Sequence, residues 1–318
     1  MMSETKIVCV IVTYNGAKWI AEALQSLRSS SVPIHPVIVD NASTDATIDV
    51  IKAVWPEAHL IELGENLGFG KANNIGIRYA LEQKADYVFL LNQDARVELD
   101  ALQLLLDVAT CHPEYGILSP VHYNYIGDEM DPGFATVAIE NKKLLADIFQ
   151  GQVDDVYKVE HPPAAAWLMS RSALKRAGGF DPVFFLYGED EDLCVRVEKC
   201  GFRIGAVVGA KIYHDHSSLN FSAFSVRKKA AFGFGSMVHT FKNKSGNSFL
   251  KLVLTGFVRS LVRGYKDHVA WYLAVMKFMF SLKRICQNIR KERAQIEYLY
   301  FDIRDGAGSE LALQPSDS

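Results

Sequence analysis

The sequence predicts an α/β fold: a mostly parallel sheet flanked by helices, with a helical extension at the C-terminus. Three features of the 318-residue chain lead there. Short β-branched runs alternate with helical patterns between residues 6 and 94. Each run is apolar and turns polar at its carboxyl end. Near residue 224 an acidic part then gives way to a basic one. Strands apolar on both faces, alternating with helices, belong to a sheet covered on both sides.

"KIVCVIVTY" (6–14) stops at Asn15-Gly16, which predicts a buried strand and a turn. In "AKWIAEALQSLRSS" Ile20, Ala23, Leu24 and Leu27 share one helical face. "HPVIVDNAS" is a second strand ending at Asp40. Ser43, Thr44 and Asp45 are N-cap types before a helix through "ATIDVIKAV". "HLIEL" is a third strand. "GENLGFGKANNIGIRYALEQ" is a glycine-rich loop leading into a helix. "DYVFLLNQD" is a fourth strand, polar from Asn92.

In such sheets ligands bind beyond the carboxyl ends of the strands. Polar residues collect there: Thr13 and Asn15, Asp40 and Asn41, Asn66, Asn92 and Asp94. Each alone is an ordinary turn residue. Four consecutive polar strand ends facing one crevice point to a ligand site. "GFGKANNIG" lacks the spacing of a dinucleotide fingerprint, and no Gly-Lys-Ser/Thr marks a P-loop. A nucleotidyltransferase is disfavoured because "VTYNGAKW" has no glycine-rich phosphate motif.

Hydrophobic residues make up 49% and charged residues 22%, enough for a sizeable core. Cys9, Cys111, Cys194, Cys200 and Cys286 show neither metal nor disulfide spacing, which reads as a reducing, cytoplasmic setting. The start "MMSETKIVCVIVTYN" lacks the basic residues and longer apolar run of a secretion signal. Residues 1–224 hold 18 Lys+Arg against 30 Asp+Glu, a balance of −12, and residues 225–300 hold 15 against 3, or +12. The expected organisation is therefore a catalytic domain over 1–224, a basic amphipathic helical region over 225–305 and a disordered tail over 306–318.

"FFLYGEDEDLCVR" (184–196) sets four adjacent carboxylates after an apolar run. A helix start tolerates them, because its dipole and free N–H groups favour negative charge. Asp192 is placed to pair with Arg196, four residues on.

"VCVIVTYNG", "VIVDNASTD", "ENLGFGKANNIGI", "LLNQDARV", "AGGFDPVFFLYGEDEDLCVR" and "AKIYHDHSS" resemble, in order, the motifs of family 2 glycosyltransferases of the GT-A fold, rhamnosyltransferase-like members especially. The resemblance spans roughly residues 5–218 and implies an inverting transferase that takes a nucleotide-diphosphate sugar and a divalent metal, Mg²⁺ or Mn²⁺. It makes Asp190 the general base and Asp40 the reader of a pyrimidine. Thr13, Asn15, Asn41, Asn66, Gly68, Gly70, Asn73 and Asn92 are then expected around the donor. The metal motif reads Asn92-Gln93-Asp94, so Asp94 is the charged ligand and His214 its nitrogen partner; His216 is the alternative histidine. Glu189 and Glu191 are expected to orient the acceptor or the sugar. "PPAAAWLMSR" (162–171) is the expected floor below the acceptor, with Trp167 either a stacking surface for a sugar or core.

In residues 249–285 no uncharged stretch is long enough to span a bilayer. Arg259, Arg263 and Lys266 form one basic stripe; Lys277, Arg284 and Lys291 form another. These suit helices lying on an anionic membrane surface, with Trp271, Phe278 and Phe280 buried in it. A packed appendage or a homodimer interface is the alternative. No motif points to nucleic acid. The favoured reading is a transferase on the inner face of the cell membrane, moving a sugar, rhamnose first, from a dTDP- or UDP-sugar to a polyprenyl-diphosphate-linked saccharide in cell-surface polysaccharide synthesis. The other is a catalytically weak sugar-nucleotide-binding or scaffold protein, with Asn92 marking lost metal binding.

Overall fold

The computed structural model describes residues 5–215 and 225–301. His216 and the tail over 306–318 lie outside the described residues. Strands β1 (Ile7–Thr13), β2 (His35–Asp40), β3 (His59–Glu62) and β4 (Tyr87–Asn92) form a parallel block in the order β3-β2-β1-β4. Their register sets Thr13 beside Asp40 and Val12 beside Asn92, so the polar ends of three strands come level.

Helices α1 (Ile20–Arg28), α2 (Thr47–Val54) and α3 (Phe69–Glu82) connect these strands. Helix α1 buries Ile20, Ala23, Leu24 and Leu27, the predicted face. Helix α2 starts one residue later than the cap types suggest. Asp45 nevertheless accepts the Thr47 N–H at 3.0 Å. Gly70 lies in the first turn of α3 rather than in a loop.

The rest of the sheet is mixed. β8 (Ala166–Ser170) runs antiparallel between β4 and β6 (Tyr115–Asn124). β9 (Arg203–His214) is parallel to β6, and β5 (Ala95–Val97) and β7 (Tyr157–Lys158) pair antiparallel with β9. Alternation along β1 feeds two cores: Val8 and Val10 face one layer, Ile7, Cys9 and Ile11 the other. Helices α4 (Ala101–Cys111), α5 (Pro132–Glu140), α6 (Lys142–Gln150), α7 (Arg171–Ala177) and α8 (Glu189–Lys199) complete this part.

Helices α9 (Val226–Asn243), α10 (Gly246–Arg263) and α11 (Tyr265–Arg293) follow. Phe234, Met237, Val238, Ala274, Phe278 and Ile285 form a third core with Val183 and Phe184. This corrects two expectations. Phe278 is core and Trp271 packs against that core, so neither reaches a membrane, whereas Phe280 is 83% exposed. In the second basic stripe Lys277 Nζ sits 4.4 Å from the Phe234 ring and Arg284 donates to the Pro182 carbonyl at 3.0 Å, and both residues stay exposed. Among the described residues no helix is long and apolar enough to cross a membrane.

Candidate active site

The antiparallel pairing of β5 with β9 sets Ala95 beside His214 and so brings Asp94 against the end of β9. His214 Nε2 lies 3.3 Å from Asp94 Oδ1 and 3.4 Å from Asn92 Nδ2. The other ring nitrogen, Nδ1, lies 3.3 Å from Asp131 Oδ2. Burial alone would lower the His214 pKa; the Asp131 and Asp94 carboxylates outweigh it and raise the value to about 9. Asn92, Asp94 and His214, which are up to 122 residues apart, therefore meet at one point. Asp131 was not foreseen. It is fully buried, its Oδ1 caps α5 by accepting the Gly133 and Phe134 N–H groups, and its Oδ2 faces the histidine.

The ends of β1 and β2 form a second group. Asp40 is 1% exposed; its Oδ1 accepts from Thr13 Oγ1 at 2.9 Å and its Oδ2 from the Ser43 N–H at 2.9 Å. Thr13 is wholly buried and orients Asp40 through that hydrogen bond. Asn15 adopts φ 48° and accepts from the Thr44 N–H at 2.8 Å, tying the two strand ends together.

Five residues expected around the donor make internal contacts. Asn41 spends both ends of its amide internally: Oδ1 accepts the Leu67 N–H at 2.8 Å, and Nδ2 donates to Asn66 Oδ1 at 3.0 Å. Asn66 Oδ1 also accepts the Gly68 N–H at 2.9 Å, so the pair shapes the turn. Asn73 is 2% exposed and donates back to the Phe69 carbonyl at 3.0 Å. Gly68 and Gly70 make room for the protein itself. At Gly68, with φ +83°, a Cβ would lie 2.3 Å from the Phe185 carbonyl oxygen, and at Gly70 it would lie 2.9 Å from Phe180 Cβ. The Phe69 N–H donates to that Phe185 carbonyl at 3.1 Å. The glycine turn is thus stitched to the segment that carries the acid run.

That run opens α8, as expected, after Gly188 at φ 90°. Its four carboxylates diverge. Asp192 is fully buried, accepts from Arg196 Nε at 2.9 Å and forms an ion pair with Lys242 Nζ at 2.8 Å. Burial would raise its pKa, but Lys242 and Arg196 hold it well below the carboxylate range. Glu189 is 5% exposed and its Oε2 has no hydrogen-bond partner; burial, with the Asp190 charge, pushes it up to about 8. Asp190 is half-buried, and burial raises its pKa against the Glu191 N–H, which donates to its Oδ1 at 2.9 Å, and against its own N–H, His161 and the Ala164 backbone. Glu191 is exposed, 3.7 Å from His239 Nε2.

Residues 164 and 165 link the two halves of the site. The Ala164 backbone is among the groups that lower the Asp190 pKa, while the Ala165 carbonyl accepts the Asn92 N–H at 2.8 Å. Asp190 and the Asn92–Asp94–His214 group therefore flank the same two residues at the start of β8. Trp167, on β8 itself, is 0% exposed and stacks on Phe180 with ring centroids 6.3 Å apart. It is core, and its expected role under a sugar is withdrawn. Among the described residues the acids Asp181, Asp192 and Glu292 converge within 4.8 Å, but Lys242 Nζ sits among them at 2.6–2.8 Å. That cluster is an ion-pair network, not a metal centre.

Residues 8–178 match the Glycosyl transferase family 2. The chain belongs to this family. The match covers the strand ends and Asp94 but stops short of the acid run and His214. This family 2 glycosyltransferase is 25% identical over 303 residues to the dTDP-rhamnosyl transferase RfbF of Shigella flexneri, covering 93% of this chain and 92% of that one. It is 27% identical over 237 residues to the N-acetylglucosaminyl-diphospho-decaprenol L-rhamnosyltransferase of Mycobacterium tuberculosis, covering 64% and 74%. Among solved structures it resembles S. aureus TarS 1-349 in complex with UDP (TM-score 0.58, 17% identity, 91% and 87% covered). It also resembles the Pyrobaculum calidifontis mannosyltransferase PcManGT with GDP-Man and Mn²⁺ (TM-score 0.56, 18% identity, 92% and 81% covered). The expected GT-A fold and the kinship with rhamnosyltransferases are both met.

Proposed function

We propose that this glycosyltransferase moves rhamnose, with inversion, from dTDP-rhamnose or a related dTDP- or UDP-sugar to a lipid-linked saccharide in cell-surface polysaccharide synthesis. The observation that carries the reading is the shared seat of two groups at the start of β8. Asp190 lies against Ala164, and Asn92, level with Asp94 and His214, is tied to Ala165. An inverting transfer needs those two parts: one base for the acceptor hydroxyl, and one centre for the charge of the departing diphosphate. The printed activities of the Shigella and Mycobacterium relatives favour rhamnose, and that of the Mycobacterium relative favours a polyprenyl-linked acceptor.

The residues fit a divalent cation. Asp94 supplies a carboxylate oxygen and His214 a ring nitrogen, 3.3 Å apart. Two atoms that share one ion at ~2.1 Å lie about 3 Å from each other. Asp131 stands behind the ring, where metal-bound histidines usually meet a carboxylate, a backbone carbonyl or a water. Asn92 would complete the set by turning its amide oxygen inward. A histidine nitrogen suits Mn²⁺ better than Mg²⁺. When bound, the ion would offset the negative charge of the leaving diphosphate.

The chain's own residues do the rest. Asp190 accepts the proton of the acceptor hydroxyl as that oxygen attacks, and its raised pKa strengthens it as a base. Asp40, held by Thr13 and Ser43, keeps a free lone pair on each oxygen to accept a pyrimidine N3–H. Residues 225–300 place the enzyme on a membrane surface through the exposed hairpin between α10 and α11.

The test is product formation from dTDP-rhamnose, UDP-sugars and GDP-sugars with a polyprenyl-diphosphate saccharide and Mn²⁺. The anomer of the product is then read by NMR. Turnover only with a GDP-sugar, or retention of configuration, would defeat the reading. Donor binding without any transfer would favour the scaffold alternative.

A further inference from the structure

Helix α8 carries Asp190 at its start and, at its other end, borders a cavity of about 200 Å³ that the transferase site does not use. Arg176, Arg196, Lys199, Lys242 and Arg293 line it, with Glu292 as the acid in the lining. Asp181 and Asp192, which contact Lys242, stand behind that wall. Five cations against three carboxylates leave a balance of +2.

Arg196 is the informative member. It is 4% exposed. Its Nε donates to Asp192 at 2.9 Å and its Nη1 to the Ala177 carbonyl at 2.5 Å. Its Nη2 is buried and has no hydrogen-bond partner. Enclosed charged donors without an acceptor are uncommon in native proteins. Asp192 at 2.9 Å and Glu292 at 3.7 Å pair with the guanidinium, yet neither accepts from Nη2. The surplus of cations around the cavity favours an oxyanion as that acceptor, and guanidinium groups favour carboxylate and phosphate oxygens.

We propose that this cavity is a second anion site that binds a phosphate or diphosphate group, with Arg196 Nη2 donating to it from within and Arg176, Lys199 and Arg293 closing around it. Cations approach from α7, α8 and α11, so an acceptor with oxygens pointing several ways fits better than a planar carboxylate. The cavity holds the equivalent of about six waters at ~30 Å³ each, room for more than a single atom's ligand. The group comes from a soluble molecule. Arg293 lies 27 residues along α11 from Lys266 at the hairpin, about 40 Å at ~1.5 Å per residue, far from the surface proposed to meet lipid.

The experiment titrates the full-length protein with inorganic diphosphate in EDTA, by calorimetry and thermal unfolding, against chloride of equal ionic strength. Saturable one-site binding is expected. It should weaken at least 10-fold in an Arg176→Ala/Arg293→Ala variant, whose altered side chains are exposed and outside the buried ion pairs. It should persist in Asp94→Asn. A response no larger than that to chloride would overturn the proposal. So would a response lost in Asp94→Asn and kept in the double variant, since that places the anion in the transferase site. Binding only to vesicles carrying phosphatidic acid, sensitive to the same double variant, would overturn the soluble source.

Discussion

Asp131 Oδ2 lies 3.3 Å from His214 Nδ1, while His214 Nε2 lies 3.3 Å from Asp94 on the other side of the ring. The buried acid fixes which nitrogen faces the crevice. Asp131→Asn should keep most of the α5 cap, because an asparagine oxygen also accepts from Gly133 and Phe134. It should still weaken Mn²⁺ dependence about 10–100-fold, the usual cost of losing such a partner. The measurement is transfer rate against Mn²⁺ concentration. An unchanged half-saturation point would remove Asp131 from the metal site.

Asp190→Asn should lower transfer by roughly 10²–10⁴-fold and leave donor binding intact, because the carboxylate acts on the acceptor. The pH profile of the wild type adds a second reading. A base with a raised pKa loses activity on the acid side at a higher pH than an ordinary aspartate. Near wild-type turnover in Asp190→Asn would assign the base elsewhere on α8.

How far the site was legible in the sequence depends on the range of each interaction. The buried face of α1 follows from the 3.6-residue period, and the acid start of α8 from adjacent carboxylates. Asp131 precedes Pro132 and reads as a turn or a cap. Nothing local reveals that it meets a histidine 83 residues away. Gly68 and Gly70 are expected around the donor, and nothing local reveals that Phe185 and Phe180 of the same chain approach them. Trp167 reads from the sequence as either a sugar-stacking surface or core, and the place of β8 between β4 and β6 makes it core. The amides Asn41 and Asn73 shared the crevice's polar composition, yet spend their bonds on nearby backbone and on Asn66.

Glu189 predicts a pH effect on stability. Its folded pKa is raised from 4.5 to about 8, so the folded state holds the proton more tightly than the unfolded one. That contribution is present in full below pH 4.5 and is lost as pH rises through about 8. Glu189→Gln keeps the neutral form at every pH. Its melting temperature should match wild type near pH 4.5 and exceed it progressively up to pH 8. Parallel curves across that range would mean that the carboxyl is solvated in solution.

Lys242 of α9 pairs with Asp192 of α8, with Asp181 ahead of α8 and with Glu292 of α11, at 2.6–2.8 Å. Its side chain is 1% exposed, and burial opposes its charge while Asp192 and Asp181 raise its pKa. Lys242→Met would leave two fully buried carboxylates short of a cation. Removing one partner of a buried ion pair costs about 3–5 kcal/mol. Urea unfolding should show a loss of that order. A loss below about 1 kcal/mol would mean that Arg196 alone neutralises the cluster.

The membrane proposal now rests on a smaller surface than the whole basic region. Lys277 and Arg284 stay exposed but contact Phe234 and Pro182, whereas Arg259, Arg263 and Lys266 are exposed at the hairpin between α10 and α11. Around them Val258, Leu261, Val262 and Tyr265 are 58%, 54%, 83% and 83% exposed. An apolar tip ringed by cations suits an anionic bilayer. Each cation near such a surface contributes about 1 kcal/mol and is screened within ~8–10 Å. Deleting residues 225–318 is a poor test, because Lys242 and Glu292 belong to the network around Asp192. The better variant is Arg259→Glu/Arg263→Glu/Lys266→Glu, which leaves that network intact. Wild-type protein should sediment with anionic vesicles at low salt, release as salt rises and bind neutral vesicles weakly; the triple variant should lose the anionic preference. If wild type fails to bind anionic vesicles at low salt, membrane docking is wrong. Sedimentation velocity then decides between a dimer through α10 and a helical appendage with a solvated apolar face.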